Sequence, residues 1–189
     1  GTGAQRPAER PAGARRRAFV ARNTRLGDPA FVQVPVTELI SKSYARERAA
    51  SIDSKHATKT GAFEGVKAEG THTTHYSVVD ENGNSVSTTT TLNDLYGSGV
   101  YVAETGIFMN DVMDDFSARP GQPNMFGLVQ GEQNAIAPGN RMLSAMSPSI
   151  LVDPKGQLLM VIGSRGGPRI VTHAAEVSVN VIDHRMTFE

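Results

Sequence analysis

The chain contains the sequence THTTHYSVVD at residues 71–80, and this stretch decides how the rest is interpreted. Its second half, 76–79, is rich in aromatic and β-branched side chains, which favour an extended strand. Thr73 stands near the start of that strand, and its hydroxyl is a poor nucleophile unless a base is held beside it. The α-amino group of Thr73 would be such a base, but only after a cut between His72 and Thr73. The stretch therefore predicts a precursor that breaks itself at this bond and so makes its own catalyst.

The residues after this stretch predict two β-hairpins and a helix. An Asn-Gly pair at 82–83 is the usual hairpin signal, and the Thr-rich run 85–92 is expected to return as the partner strand. The apolar runs 149–152 and 158–162 flank a Pro-Lys-Gly turn and predict a second hairpin. Apolar side chains then recur at helical spacing, and Pro168 suits the first turn of that helix.

The residues before the stretch contain fewer large apolar side chains. Residues 1–16 are rich in Gly, Pro, Ala and Arg and are expected to be flexible. A short helix is expected over 15–23. A second helix is expected to run to about residue 52, with Thr37 as its N-cap. Residues 53–72 carry Lys, Thr, Gly and Ala, and this composition predicts a linker that leads to Thr73.

Composition excludes several classes of function. The 189 residues are 39% hydrophobic, which is enough for one domain and possibly part of a second. Nineteen basic side chains balance nineteen acidic ones, so no nucleic-acid partner is predicted. No cysteine is present and no apolar run is long enough to span a bilayer. Arginines crowd the start and are interpreted as a solvated helix face; they are Arg6, Arg10, Arg15, Arg16, Arg17, Arg22 and Arg25.

Each candidate residue also has a purely structural interpretation. Thr73 is, by residue type alone, an ordinary strand-edge threonine, and Thr91 an ordinary strand former. Gly166 and Gly167 precede a helix, where exposed backbone N–H groups can hold an oxyanion, but a tight turn needs the same two glycines.

Metal binding is not predicted. Asp114 and Asp115 are interpreted as a solvated turn in preference to a metal pair. His72 and His75 are three positions apart on an extended segment and so point to opposite faces. No second ligand cluster stands nearby, and no metal or other cofactor is expected.

Five separated motifs together resemble the γ-glutamyltranspeptidases (glutathione hydrolases). The stretch 26–35 also looks like the end of that family's large subunit, so the resemblance covers roughly residues 17–189. The five motifs occur in the family's order: Thr73 to Asp80, Thr91-Leu92-Asn93, Met113 to Ser117, Leu143 to Pro148, and Gly163 to Gly167.

The resemblance implies an N-terminal nucleophile hydrolase with an α+β fold, the αββα four-layer sandwich. It implies a precursor cleaved at His72–Thr73 into a large subunit ending at residue 72 and a small, catalytic subunit over 73–189. The chain is then expected to hold a partial fold, truncated at both ends. The rest of its own large subunit is expected to bind it as a partner. The resemblance also implies a periplasmic or secreted location.

Residue roles follow from the same resemblance. Thr73 would be the nucleophile, assisted by Thr91, and Gly166 and Gly167 would donate to the oxyanion. The γ-glutamyl donor, glutathione or a relative, would be held at its α-amino group by Asn93 and Asp115. Its α-carboxylate would be held by Ser144 in a pocket that includes Ala145. The acceptor would be water, an amino acid or a peptide.

The sequence departs from the family pattern at three positions. Val112 stands where the family commonly has Gln or Glu, and Ala145 stands where it usually has a second serine. Losing one hydrogen bond to a charged group costs roughly 1.5–3 kcal/mol. Arg165 replaces the usual proline before the glycine pair. Val112 and Ala145 keep one alternative open, an amidase or acylase with an altered donor. A non-catalytic family member is a second alternative, and the retention of Thr73, Thr91, Asn93, Asp115 and both glycines argues against it.

Overall fold

The computed structural model describes residues 9–53 and 72–187. They fall into two compact units, one formed by 9–53 with 113–143 and one by 72–112 with 144–187. Helices and strands are both present, which confirms the α+β class. The helices are α1 (Glu9–Arg25), α2 (Val36–Leu39), α3 (Lys42–Ala50) and α4 (Arg169–Ile182), and the strands are β1 (Thr73–Val79), β2 (Ser85–Thr91), β3 (Tyr101–Val102), β4 (Ile107–Phe108), β5 (Ser149–Val152) and β6 (Leu158–Ile162).

The β1–β2 hairpin forms as the sequence predicts. The strands are antiparallel and in continuous register, from Val79 opposite Ser85 at the turn to Thr73 opposite Thr91 at the open end. Asp80 closes the turn, because its carboxylate accepts the backbone N–H groups of Asn82 and Asn84 at 2.9 and 2.8 Å. The register places the two candidate threonines side by side.

The β5–β6 hairpin, also predicted, lies against β1 and β2. The hydroxyl of Ser77 on β1 donates to the carbonyl of Val161 at 3.3 Å, and the hydroxyl of Ser87 on β2 donates to that of Ile162 at 3.0 Å. A Cβ atom added to Gly163 would lie 2.2 Å from the ring of His75. From Val161 to Gly163 the chain therefore runs along β1 from Ser77 towards Thr73.

Helix α4 follows this segment and completes the second unit. Pro168 is its N-cap residue, one position before the first-turn place predicted for it. The apolar repeat identified in the sequence faces inward at Ile170 and Ala174, which are buried, and Met160 of β6 is buried as well. The helix thus begins directly after the Gly166–Gly167 pair.

The first unit corrects two expectations. Helix α1 begins at Glu9, so residues 9–16 are helical although flexibility was predicted for 1–16. The Ala- and Arg-rich sequence has high helix propensity, and a proline in the first turn costs little. The expected helix over 37–52 is divided into α2 and α3; Ser41, whose hydroxyl accepts the N–H of Tyr44 at 3.1 Å, caps α3 where Thr37 was expected to cap one long helix.

Polar groups organise the interior of the first unit. Asp28, Ser117, Gln130 and Asn134 are buried together with the apolar Ala21, Phe116 and Leu128. Residues 1–8, 54–71 and 188–189 lie outside the described residues, and so does most of the linker predicted over 53–72. The division into 1–16, 17–72 and 73–189 stays a prediction.

Candidate active site

The candidate nucleophile Thr73 is buried at the open end of the β1–β2 hairpin, with 8% of its surface exposed. Its hydroxyl donates to the hydroxyl oxygen of Thr91 over 3.2 Å. The antiparallel register produces this contact, because Thr73 and Thr91 are direct partners across the two strands. A hydroxyl held in this way has one preferred orientation before any reaction begins.

The Thr91 hydroxyl connects three groups. It accepts the Thr73 hydroxyl and the backbone N–H of Asn93 at 2.9 Å, and it donates to the carbonyl oxygen of His72 at 3.5 Å. Asn93 has a positive φ of 79°, a conformation that asparagine tolerates better than most residues. The carbonyl of the predicted scissile bond and the predicted nucleophile therefore share one hydroxyl partner.

The glycine pair lies beyond the end of β6. Gly166 and Gly167 have φ values of 115° and 56°, which side chains with a Cβ rarely adopt, so this turn requires glycine. Among the described residues, neither amide N–H of the pair donates a hydrogen bond. Residues 161–163, which lead to this turn, run along β1 towards Thr73. Glycine N–H groups of this kind can stabilise an oxyanion.

Two side chains hold this turn against its surroundings. The Ser164 hydroxyl lies 3.0 Å from Nδ1 of His173, on the first turns of α4. His75 contacts Thr89 through Nδ1 at 2.8 Å and Ser77 through Nε2 at 3.1 Å, and its ring packs on Gly163. Local sequence patterns predict neither contact, because one contact joins residues on different strands and His173 belongs to no motif.

Ser144 and Ala145 precede β5. Because Ser149 pairs with Ile162, the start of β5 and the end of β6 meet at the same end of that hairpin. Ser144 is exposed and its hydroxyl oxygen accepts the N–H of Met146 at 3.0 Å, while Ala145 is half-buried. The 144–148 segment and the glycine turn therefore leave the same end of the β5–β6 hairpin.

Asp115 lies in the first unit, in a 3₁₀ turn over Val112–Asp115. Its backbone carbonyl accepts the side-chain amides of Gln130 at 3.1 Å and Asn134 at 2.7 Å. Burial lowers the pKa of the nearby Arg22 guanidinium, and the charge of Asp115 offsets part of that shift. Sequence reasoning missed Asn134, since a lone polar residue in a loop carries no periodic signal.

The cluster around Thr73 is suited to acyl transfer through a hydroxyl. It places the buried candidate nucleophile Thr73 beside a hydroxyl partner, and the chain that leads to the glycine pair runs along β1 towards Thr73. Within 9–53 and 72–187, no group of three His, Asp or Glu side chains is placed to hold a metal ion. Across the same ranges, every helix is too short or too polar to cross a membrane.

Comparison with known proteins agrees with this chemistry. The family model described as gamma-glutamyltranspeptidase matches residues 3–189. A glutathione hydrolase proenzyme from Pseudomonas sp. (strain A14) is 47% identical over 181 residues, which is 93% of this chain and 31% of that protein. The chain thus spans about a third of the length of this relative. The crystallised gamma-glutamyltranspeptidase from Pseudomonas nitroreducens, complexed with L-DON, is 51% identical with a TM-score of 0.58, covering 61% of this chain and 60% of that one.

A relative with a different name is also similar. An Acylase ACY 1 proenzyme from Pseudomonas sp. (strain SE83) is 38% identical over 173 residues, which is 91% of this chain and 29% of that protein. Both curated relatives are named as proenzymes.

Proposed function

The chain belongs to the γ-glutamyltranspeptidase family, and from this premise we propose that the whole protein is a self-processing γ-glutamyltransferase or glutathione hydrolase. One observation carries the proposal: Thr73 and the carbonyl of His72 both contact the hydroxyl of Thr91. That arrangement joins the bond to be cut and the group that would cut it. The proenzyme names of the relatives support a maturation step.

Maturation would begin with the Thr73 hydroxyl. Its Oγ1 attacks the carbonyl carbon of His72, the C–N bond to Thr73 breaks, and the hydroxyl proton passes to the leaving nitrogen. Water then hydrolyses the ester, which releases a carboxylate on His72 and leaves Thr73 with a free α-amino group. Thr91 assists by accepting the Thr73 hydroxyl and by donating to the oxygen that gains charge.

The mature enzyme would use the new amino group as its base. The amine takes the Thr73 proton as Oγ1 attacks the γ-carbonyl of the donor. Gly166 and Gly167 would donate N–H groups to the oxyanion, a contribution that reaches 100- to 1000-fold per donor in well-studied hydrolases, roughly 2.7–4 kcal/mol. The γ-glutamyl group then passes from Thr73 to water, an amino acid or a peptide.

The donor would be recognised at its charged end. Asn93 and Asp115 suit an α-ammonium group, because a carboxylate facing a cation makes a strong hydrogen bond. Ser144 suits the α-carboxylate, in a pocket that Ala145 makes less polar. Glutathione is the donor that the relatives' name suggests, and no cofactor enters this chemistry.

The proposal includes the rest of the large subunit as a partner of this chain. Tyr76, Val78 and Val86 of the β1–β2 hairpin are each about half exposed, at 51%, 53% and 52%. Apolar side chains in such a cluster mark a surface that another part of a protein covers. Family resemblance further suggests a periplasmic or secreted location for the whole protein.

The decisive test is N-terminal sequencing of the small fragment from the full-length protein. We expect it to begin at Thr73, and we expect Thr73→Ala to give an uncut and inactive chain. Activity is measured as release of p-nitroaniline from γ-glutamyl-p-nitroanilide, with and without glycylglycine as acceptor. Normal splitting of the Thr73→Ala chain would overturn the proposal.

A second candidate keeps the fold and changes the donor. The acylase relative, together with Val112 and Ala145, favours a donor that lacks part of the γ-glutamyl charge. Glutaryl-p-nitroanilide has the carboxylate of the γ-glutamyl compound but no α-amino group. Faster turnover of the glutaryl compound would identify an acylase, and no turnover of either compound by a cleaved protein would identify a non-catalytic member.

A further inference from the structure

The side chain of His72, the residue before the scissile bond, contacts Asp94, which lies three residues after the end of β2. His72 Nε2 lies 3.4 Å from Oδ1 of Asp94. The imidazole is 25% exposed and the carboxylate 54% exposed, so the pair lies at the edge of the site. Neither the motifs nor the proposed catalytic chemistry uses Asp94.

The turn that carries Asp94 is fixed on several sides. The N–H of Asn93 is held by the Thr91 hydroxyl, and the N–H of Asp94 donates to Oδ1 of Asp111 at 3.0 Å. Asp111 in turn donates its own N–H to the carbonyl of Leu92 at 3.0 Å. The Asp94 carboxylate also accepts the N–H of Leu95 at 2.8 Å. The backbone of the turn and Oδ1 of the carboxylate are therefore held in place.

The same turn holds both ends of His72. Thr91 contacts the His72 carbonyl, and Asp94, three residues further on, contacts its ring. Fixing the ring and the carbonyl together limits rotation about the His72 backbone. A carbonyl with fewer orientations spends more time facing the attacking hydroxyl.

We propose that Asp94 is a positioning residue for self-cleavage, which holds the His72 side chain and thereby presents the His72 carbonyl to Thr73. The inference rests on the proposed function, because it deepens the maturation step described above. Asp94 exchanges no proton and forms no bond in that step. Its effect is confined to the precursor, in which His72 and Thr73 are still joined.

The test follows cleavage of the full-length precursor made by pulse-labelled cell-free translation, with the two products separated on a gel. We expect Asp94→Ala to slow cleavage about tenfold in the wild-type background. In the His72→Ala background, where no ring is present, the same change is expected to have less than about a twofold effect. A turn-stabilising role alone would slow both backgrounds equally.

Two controls complete the experiment. Asp153→Ala removes another turn aspartate, whose Oδ1 accepts the N–H groups of Lys155 and Gln157 at 2.8 and 2.9 Å, and it is expected to cleave at the wild-type rate. Asp94→Asn, which retains an acceptor oxygen for Leu95, is expected to fall between wild type and Asp94→Ala. The inference is overturned if Asp94→Ala cleaves normally or slows both backgrounds alike. Failure of the proposed function is distinct, since it appears as cleavage of the Thr73→Ala chain.

Discussion

The side-chain amide of Asn134 donates to the backbone carbonyl of Asp115 over 2.7 Å, and its oxygen accepts the N–H of Leu143 over 2.9 Å. Asn134 is 2% exposed, and its amide also contacts Oε1 of Gln130 at 2.9 Å. One buried amide therefore holds the carbonyl of a candidate donor-binding residue and the residue that precedes Ser144 in the chain. The backbone position of the candidate residue Asp115 thus depends on a side chain that is itself buried.

We expect Asn134→Ala to destabilise the full-length protein by about 2–4 kcal/mol, because it removes the partner of the Leu143 N–H and of the buried Gln130 Oε1, and one of the two donors to the Asp115 carbonyl. The KM for γ-glutamyl-p-nitroanilide should rise as Asp115 loses its position. Urea unfolding measures the first effect and initial rates the second. Asn84→Ala is the matched control, since its amide contacts Asp80 in an exposed turn at 2.7 Å and a much smaller loss is expected. Equal losses in the two variants would contradict this account.

Asp28 and Arg141 form a two-pronged ion pair, with Nη2–Oδ1 at 2.8 Å and Nε–Oδ2 at 2.9 Å. The guanidinium and the N–H of Ala30 hold the pKa of the Asp28 carboxyl well below its usual range. In the unfolded chain this carboxyl takes up a proton at about pH 3.9, whereas in the folded chain it stays ionised to lower pH. The ionised Asp28 carboxylate therefore contributes its full stabilisation above the pKa of the unfolded chain, and this contribution declines as the pH falls below that pKa.

The pH dependence can be measured with Asp28→Asn. We expect the difference in urea midpoint between wild type and this variant to be constant from about pH 7 to about pH 5. Below about pH 4 the difference in urea midpoint should become smaller, because the unfolded wild-type chain then gains a proton at Asp28 that the folded chain does not bind. A gap of the same size at about pH 3 and pH 7 would show that the charge of Asp28 is not the stabilising element.

The sequence predicts the parts of this molecule that depend on local patterns. The β-branched and apolar runs with their turn residues predict both long hairpins, and helical spacing with Pro168 predicts α4. The register of β1 and β2 then brings Thr73 beside Thr91. The break between α2 and α3 was missed because Ser41 competes successfully with Thr37 as a cap.

Long-range polar contacts could not be predicted in the same way. The pairing of Asp28 with Arg141 joins residues more than a hundred positions apart, and only the fold brings them together. The contact between His72 and Asp94 depends on the geometry of the turn after β2. The packing of the His75 ring on Gly163 depends on how the two hairpins pack together. Composition and periodicity carry none of this information.

Gly163 allows the two hairpins to approach, so Gly163→Ala should disturb the glycine turn that follows it. The added Cβ would lie 2.2 Å from the His75 ring, and overpacking of this kind costs about 1–3 kcal/mol. We expect kcat for γ-glutamyl-p-nitroanilide to fall more than KM changes. Combining the change with His75→Ala, which removes the ring, should restore part of the lost activity.

Gly156→Ala is the control for that prediction. It introduces the same side chain at a turn with φ of 80° and with open space around the new Cβ. It should cost stability, since alanine is strained there, but leave kcat near the wild-type value. A loss of kcat in this variant as large as in Gly163→Ala would count against the packing argument.

Thr91 is tested through its hydroxyl. Thr91→Val keeps the branched shape favoured in a strand but removes the acceptor for Thr73 and Asn93. We expect precursor cleavage to slow at least about tenfold, which corresponds to about 1.4 kcal/mol of barrier. Thr91→Ser retains the hydroxyl and should cleave within a few-fold of wild type. Similar rates for the valine and serine variants would show that shape, not hydrogen bonding, is the property that matters.

Ala145 offers a gain-of-function test of the donor pocket. Ala145→Ser places a hydroxyl beside Ser144, and a hydrogen bond to a charged group is worth about 1.5–3 kcal/mol. The KM for γ-glutamyl-p-nitroanilide should therefore fall by about tenfold or more. The matched control is 4-aminobutanoyl-p-nitroanilide, which has the same amino group and reactive carbonyl but no α-carboxylate. The turnover of this compound should be unchanged, because the new hydroxyl has no carboxylate to which it can donate a hydrogen bond. An equal improvement for both compounds would show that the hydroxyl introduced at position 145 does not contact the donor α-carboxylate.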